Sequence, residues 1–273
     1  MRLPLLAACI SLTLALTGCD SIRVTEAHFL KPDAPGTIQP ERYTAAGITE
    51  LSVMRPDGAT LNGVLLEQPN ARTTILYYGG NMFHLDQHLR ALLPVLAACG
   101  TNVAVFDYRG YGRSSGKPTV AHMQDDALAM FDAVNTRFPG RVIVHGQSLG
   151  SFMAAHVAGS RPVRATVLET TATSAAELVE AQVPWYAAPF LTVEMDPALR
   201  QVDNRAAAAR FQAATLVIAA GQDKMTPPKL GKRVFEAIAH QDKRLLMLED
   251  AGHNDALHSQ GAQAAYCGFV QGS

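Results

Sequence analysis

The stretch Arg141-Val142-Ile143-Val144-His145-Gly146-Gln147-Ser148-Leu149-Gly150-Ser151-Phe152-Met153-Ala154-Ala155-His156-Val157-Ala158 decides how this chain reads. A β-branched apolar run leads into Gly-x-Ser-x-Gly and then into small residues at helical density, the strand–turn–helix setting of a nucleophile elbow. A serine on so sharp a turn occupies a strained backbone position. Gly146 and Gly150 supply the lack of bulk that the approach of strand and helix demands. The pattern predicts that Ser148 projects from the end of a buried strand toward a substrate.

Working outward, the chain repeats the same alternation. Ile48–Met54 and Leu61–Leu66 alternate around Pro56-Asp57-Gly58, a hairpin composition. Thr73–Tyr78 is a compact strand running into Gly79-Gly80-Asn81-Met82, after which Leu85, Leu89, Leu92, Leu93 and Leu96 recur at helical spacing. Asn102–Phe106 is a further strand, ending in the glycine-rich turn Asp107–Gly116. Val120–Phe138 reads as a helix stopped by Pro139-Gly140. Beyond the elbow, Ala165–Leu168, Thr215–Ala219 and Arg244–Leu248 are strands. Between the first two, residues 171–210 lose periodicity around Pro184, Pro189 and Pro197, which marks a small cap insertion. Strands alternating with helices predict an α/β fold with a mostly parallel central sheet covered on both faces.

Gly79-Gly80-Asn81, Asp107-Tyr108-Arg109-Gly110-Tyr111-Gly112, the elbow and Leu168-Glu169 together resemble the ordered motif set of the α/β-hydrolase superfamily. They are similar in particular to the small α/β-hydrolase-domain serine hydrolases that are often membrane-associated. The resemblance runs from about Ile48 to the C-terminus. It implies the α/β-hydrolase fold, esterase or acyl-thioesterase chemistry on an acyl substrate, and no cofactor. Asp107 and Arg109 would stabilise turns, as they do in the family. Relatives commonly carry His-Gly ahead of the asparagine of the glycine loop, and Gly79 stands in that histidine's place here.

Elbow enzymes place serine first, acid second and histidine third in the chain. Ser148, Asp223 and His253 satisfy that order, and each follows a strand, so all three would project from the carboxyl edge of one sheet. His253 would be the base for the serine hydroxyl, and Asp223 would hold its tautomer. Backbone amides of Leu149 and of Asn81, with Met82 the next candidate, would form the oxyanion hole. Activity is then expected to fall in acid as the base takes up a proton. Glu169 is the fallback acid, and an Asx turn ahead of Pro227 is the structural alternative for Asp223. Val183, Trp185, Tyr186, Phe190 and Leu191 either line an acyl pocket or pack the insertion onto the core. His84 and His88 stand four apart, but the glutamate of a zinc-protease helix is missing and no metal site is read there.

The chain of 273 residues is 48% hydrophobic and 17% charged, with 23 basic against 24 acidic residues. This suits one globular domain and excludes the basic footprint of a nucleic-acid partner. Behind Arg2, residues 3–16 form an apolar run too short to span a bilayer, and Leu16-Thr17-Gly18-Cys19 resembles the lipobox of bacterial lipoproteins. That resemblance implies a signal peptide over 1–18 and lipidation at Cys19. Asp20 after it resembles the inner-membrane retention signal of Gram-negative lipoproteins, so the domain would face the periplasm. Residues 19–45, with Pro32, Pro35 and Pro40, read as a tether without chemistry, and 46–273 as the folded domain. Cys99 and Cys267 remain; two buried free thiols are expected, a disulfide being the alternative because both fall near ends of helices that can share a face. Ester or thioester hydrolysis is the leading reading. Peptide or amide cleavage on the same residues, and a non-catalytic envelope-binding lipoprotein, are the alternatives.

Overall fold

In the computed structural model, residues 20–183, Tyr186 and residues 191–273 are described. The chain builds β1 (Asp20–Val24), α1 (Glu26–Phe29), β2 (Ile48–Met54), β3 (Thr60–Leu66), β4 (Thr74–Tyr78), α2 (Leu85–Ala97), β5 (Asn102–Phe106) and α3 (Val120–Arg137). There follow β6 (Val142–Gln147), α4 (Leu149–Ala158), β7 (Ala165–Glu169), α5 (Ala175–Gln182), β8 (Leu191–Met195), α6 (Pro197–Arg200) and α7 (Asn204–Ala208). The chain ends with β9 (Ala214–Ala220), α8 (Pro228–Ala237), β10 (Lys243–Leu248) and α9 (Gln260–Gly272).

Eight strands form the central sheet in the order β10-β9-β7-β6-β4-β5-β3-β2. Only β3 runs against its neighbours; β4, β5, β6, β7, β9 and β10 are mutually parallel. The period-2 alternation of the strands divides the core between two faces. Leu76, Tyr78, Ala104, Phe106, Val142 and Val144 pack with residues of α3, α4 and α8 on one side. Ile75, Tyr77, Val103, Val105 and Ile143 pack with α2 and α9 on the other. Because strand-to-helix connections leave the carboxyl edge of this sheet, the loops after β4, β6, β7, β9 and β10 converge there.

Two sequence expectations are corrected. Residues 20–33 do not hang free as a tether. β1 pairs in parallel with β8 of the insertion between β7 and β9, forming a second, two-stranded sheet. Val24 and Leu30 are buried in the larger core cluster, and Glu26 Oε2 accepts the Val120 amide at 2.5 Å, placing a carboxylate on the N-terminus of α3. The apolar residues of this segment, too few for a periodic pattern, find their partners only through tertiary packing. Cys99 and Cys267 are not free thiols; they form a disulfide that ties the end of α2 to α9 on the same face of the sheet. Cys19, Trp185 and Phe190 lie outside the described residues. Among the described residues no helix is long and apolar enough to cross a membrane.

Candidate active site

Ser148 stands between β6 and α4 with φ 52° and ψ −117°, a region that side-chain-bearing residues rarely adopt, and its amide donates to the Glu169 carbonyl of β7 at 3.0 Å. A Cβ on Gly146 would stand 2.2 Å from the Gly150 carbonyl oxygen, so only glycine lets the elbow close. Met82 and Thr170 also have positive φ, and both lie in loops at the same edge of the sheet. Backbone strain at these loops is local, and the rigid strands behind them hold it.

The structure brings Ser148, His253 and Asp223 into one hydrogen-bonded row. Ser148 Oγ lies 2.9 Å from His253 Nε2, and His253 Nδ1 lies 2.8 Å from Asp223 Oδ2. Asp223 is ionised and only accepts, so it fixes the proton on Nδ1 and leaves Nε2 to accept from the serine hydroxyl. Asp223 also makes the Asx turn offered as its structural alternative. Its Oδ1 takes the Met225 and Thr226 amides at 2.8 Å each, freeing Oδ2 for the histidine. The two readings of Asp223 describe opposite oxygens of one carboxylate. Burial pushes the Asp223 carboxyl up, yet bonds from His253 and Thr226 outweigh it and hold the group below the usual carboxylate range.

Glu169, the fallback acid, is engaged elsewhere. Its Oε2 lies 2.9 Å from Nε2 of the fully buried His145, whose Nδ1 faces the Tyr266 hydroxyl at 3.0 Å. Leu149 begins α4 directly behind the serine, where the first amides of a helix have no intrahelical partner. The glycine loop closes over the elbow: a Cβ on Gly80 would stand 3.7 Å from that of Ser148, and the Phe83 amide donates to the Gly80 carbonyl. Asn81 and Met82 occupy the two central positions of this turn. The place of the relatives' histidine is filled by a ring, since a Cβ on Gly79 would meet Phe83 at 2.3 Å.

The chain has counterparts among known proteins. A family model described as serine aminopeptidase, S33 matches residues 70–198. An uncharacterised protein of Mycobacterium tuberculosis is 32% identical over 212 residues, covering 76% of this chain and 72% of that one. Human alpha/beta hydrolase domain-containing protein 17B is 28% identical over 190 residues, covering 68% of this chain and 62% of its own length. The chain belongs to the α/β-hydrolase family. Solved structures agree on the fold: an esterase of Pyrococcus furiosus superposes with a TM-score of 0.67 at 16% identity, covering 86% of the hydrolase and 98% of the esterase. A hydrolase from Pseudomonas aeruginosa does so at 0.63 and 23% identity, covering 83% and 99%.

Around this row the hydrolase carries residues that sequence reasoning missed. The Thr226 hydroxyl bridges Asp223 Oδ2 at 2.5 Å and His253 Nδ1 at 3.2 Å. Gln147, the variable residue of the elbow, reaches the His253 carbonyl and Asn254 Oδ1 at 3.3 Å each, tying the nucleophile turn to the histidine loop. The Asn81 side chain turns away from the serine, donating to the Phe29 carbonyl at 2.5 Å and accepting from Tyr111. The available signals were Thr226 three residues after the acid and Gln147 inside the motif. Nothing local marked Phe29. Asp107 and Arg109 hold turns: Asp107 accepts the Leu85 and Arg113 amides, its carboxyl pushed up to about 6 by burial, and Arg109 grips Asp126 with two nitrogens. His84 is engaged with Asp33, and among the described residues no cluster of three or more His, Cys, Asp or Glu could hold a metal ion.

Proposed function

We propose that the hydrolase cleaves carboxylic ester or thioester bonds through an acyl-enzyme on Ser148, with His253 as general base and Asp223 as its orienting acid. The observation that carries this reading is the unbroken row Ser148 Oγ, His253 Nε2–Nδ1, Asp223 Oδ2. His253 Nε2 takes the serine proton as Oγ bonds to the carbonyl carbon, and the carbonyl oxygen becomes an oxyanion. The backbone amides of Leu149 and Asn81 receive that charge. Collapse breaks the bond to the leaving alcohol or thiol, which departs with the proton from Nε2. Water then repeats the sequence on the acyl-enzyme and releases the acid. The reaction calls for no cofactor. Met82 and Met225 are exposed beside the row and favour a substrate with an apolar portion.

Peptide or amide cleavage on the same row is the second reading, favoured by the serine aminopeptidase family match. A matched series of p-nitrophenyl esters, thioesters and aminoacyl amides separates the two; faster amide turnover would overturn the first. A fluorophosphonate probe that labels the wild type and not Ser148→Ala tests the serine chemistry itself. Folded protein that fails to label would favour a non-catalytic binding role.

We further propose that Cys19 is lipidated and holds the enzyme on the periplasmic side of the inner membrane. The Cys99–Cys267 disulfide supports an oxidising compartment. Mass spectrometry of the mature N-terminus decides it: an unmodified Cys19 sinks the proposal.

A further inference from the structure

The glycine loop over Ser148 has a conformation that its own sequence does not favour. The Phe83 amide donates to the Gly80 carbonyl at 3.2 Å, so Asn81 and Met82 are the central residues of a turn, and the second of them, Met82, has φ 63°. Turns call for glycine or asparagine at such a position, because a larger side chain crowds its own backbone there. Methionine keeps that conformation only where its surroundings impose it.

The surroundings that impose it begin at His84. Its Nδ1 donates to the Met82 carbonyl at 2.8 Å, and its Nε2 donates to Asp33 Oδ1 at 2.7 Å. A carbonyl and an ionised carboxylate only accept, so one ring is held at both ends. The ring is buried, with that of His88 stacked beside it. Asp33 is fixed in turn, its Oδ2 taking the Gly112 amide at 2.8 Å and Gln39 Nε2 at 2.9 Å. Burial pushes the Asp33 carboxyl up, yet bonds from Gln39, His84 and Gly112 outweigh it and keep the group below the usual carboxylate range. On the other central residue, the Asn81 side chain donates to the Phe29 carbonyl and accepts from the Tyr111 hydroxyl, which takes the Lys31 amide at 2.7 Å. Both central residues of the turn are thus tied to residues 29–33, Asn81 directly and Met82 through His84.

We propose that Asp33 and His84 are positioning residues of the hydrolase, locking the Met82 peptide group so that the Asn81–Met82 turn presents its amide to the oxyanion. The inference rests on the serine-hydrolase reading of Ser148. Among the described residues, neither side chain is hydrogen-bonded to Ser148, His253 or Asp223, so their effect travels through the backbone of the turn. With the Met82 carbonyl released, φ relaxes and the amides of the turn swing away from the developing charge. A segment docked from outside the sheet thereby contributes to turnover without touching the substrate.

The test is steady-state hydrolysis of p-nitrophenyl acetate by the full chain, for the wild type, Asp33→Ala, Asp33→Asn, and Asp33→Ala combined with Met82→Gly. Rates are expressed per serine titrated to completion by a fluorophosphonate, so that unfolded molecules do not count. In Asp33→Ala, kcat should fall about tenfold, short of the about 10²- to 10³-fold loss of a whole oxyanion donor, with KM changed by less than about twofold. Asp33→Asn keeps an acceptor for His84 Nε2 and should retain more activity than Asp33→Ala. Glycine adopts φ 63° without penalty, so Met82→Gly should raise the kcat of Asp33→Ala by about threefold. Unchanged kcat per titrated serine in Asp33→Ala, a loss confined to KM, or no recovery on adding Met82→Gly would overturn the positioning role while leaving the serine chemistry intact. A wild type that the fluorophosphonate does not label would instead strike the underlying reading.

Discussion

Gly150 lies so close beneath Tyr78 that a Cβ on it would stand 1.9 Å from the Tyr78 carbonyl oxygen. The second glycine of the elbow is therefore a contact between α4 and the end of β4, and both sides of that contact are backbone. Gly150→Ala should destabilise the fold by the upper end of the about 1–3 kcal/mol that overpacking costs, and should reduce ester turnover by moving the serine. Urea denaturation beside an activity assay checks this. Unchanged stability would mean that strand and helix are further apart than described.

Ser148→Ala should lower turnover about 10⁶-fold with the fold retained. Ser148→Gly should be equally inactive yet more stable than Ser148→Ala by about 1 kcal/mol. Glycine adopts φ 52° without the penalty that both serine and alanine bear there. Equal midpoints for the two variants would show that the elbow is unstrained.

Asn81 separates two contributions that one residue makes. Asn81→Ala removes the side-chain bonds to Phe29 and Tyr111 but keeps the backbone amide, so activity should fall by less than about tenfold. Asn81→Pro deletes the amide at a turn position that proline tolerates, and kcat should drop about 10²- to 10³-fold if that amide faces the oxyanion. Near-normal kcat in Asn81→Pro would assign the donor to Met82.

The disulfide closes a span of 168 residues. On loop-entropy grounds its removal in Cys267→Ala should cost up to about 5 kcal/mol. The urea midpoint should shift in the same way when the wild type is reduced, and a midpoint indifferent to reductant would contradict the bond.

His156, half-buried on α4, has its pKa lowered by burial, with Arg210 and Arg161 adding to the effect and Asp125 opposing it. The unfolded chain takes up a proton near the ordinary value of 6.5, which the folded chain resists until lower pH. The stability tied to neutral His156 is therefore present above about pH 6.5 and is lost as pH falls below it. Relative to His156→Gln, the wild type should lose stability between pH 7 and pH 5 in denaturation curves. Parallel curves would remove this assignment.

The sheet was legible because its strands are short, apolar and bounded by glycine, proline or charged turns, and Ser148, Asp223 and His253 each follow one. Chain order named Asp223 as the acid facing His253 and left Glu169 as the fallback. Glu169 ends β7 and Asp223 follows β9 in the same sheet, and only the assembled sheet sends one to His145 and the other to His253. The docked segment 20–33 escaped for a different reason. Parallel pairing of β1 with β8 leaves no local pattern, and three prolines nearby imitate a linker. The disulfide overturned the expected pair of free thiols because sequence separation sets no distance between two cysteines.

The pairing of β1 with β8 also settles what each strand would be without the other. Among the described residues the second sheet has only these two strands, drawn from opposite sides of the elbow in sequence. Removing β1 would leave β8 with unpaired N–H and C=O groups on both edges, a template for a strand of another molecule. The first described residues of the chain thus shield the insertion from self-association.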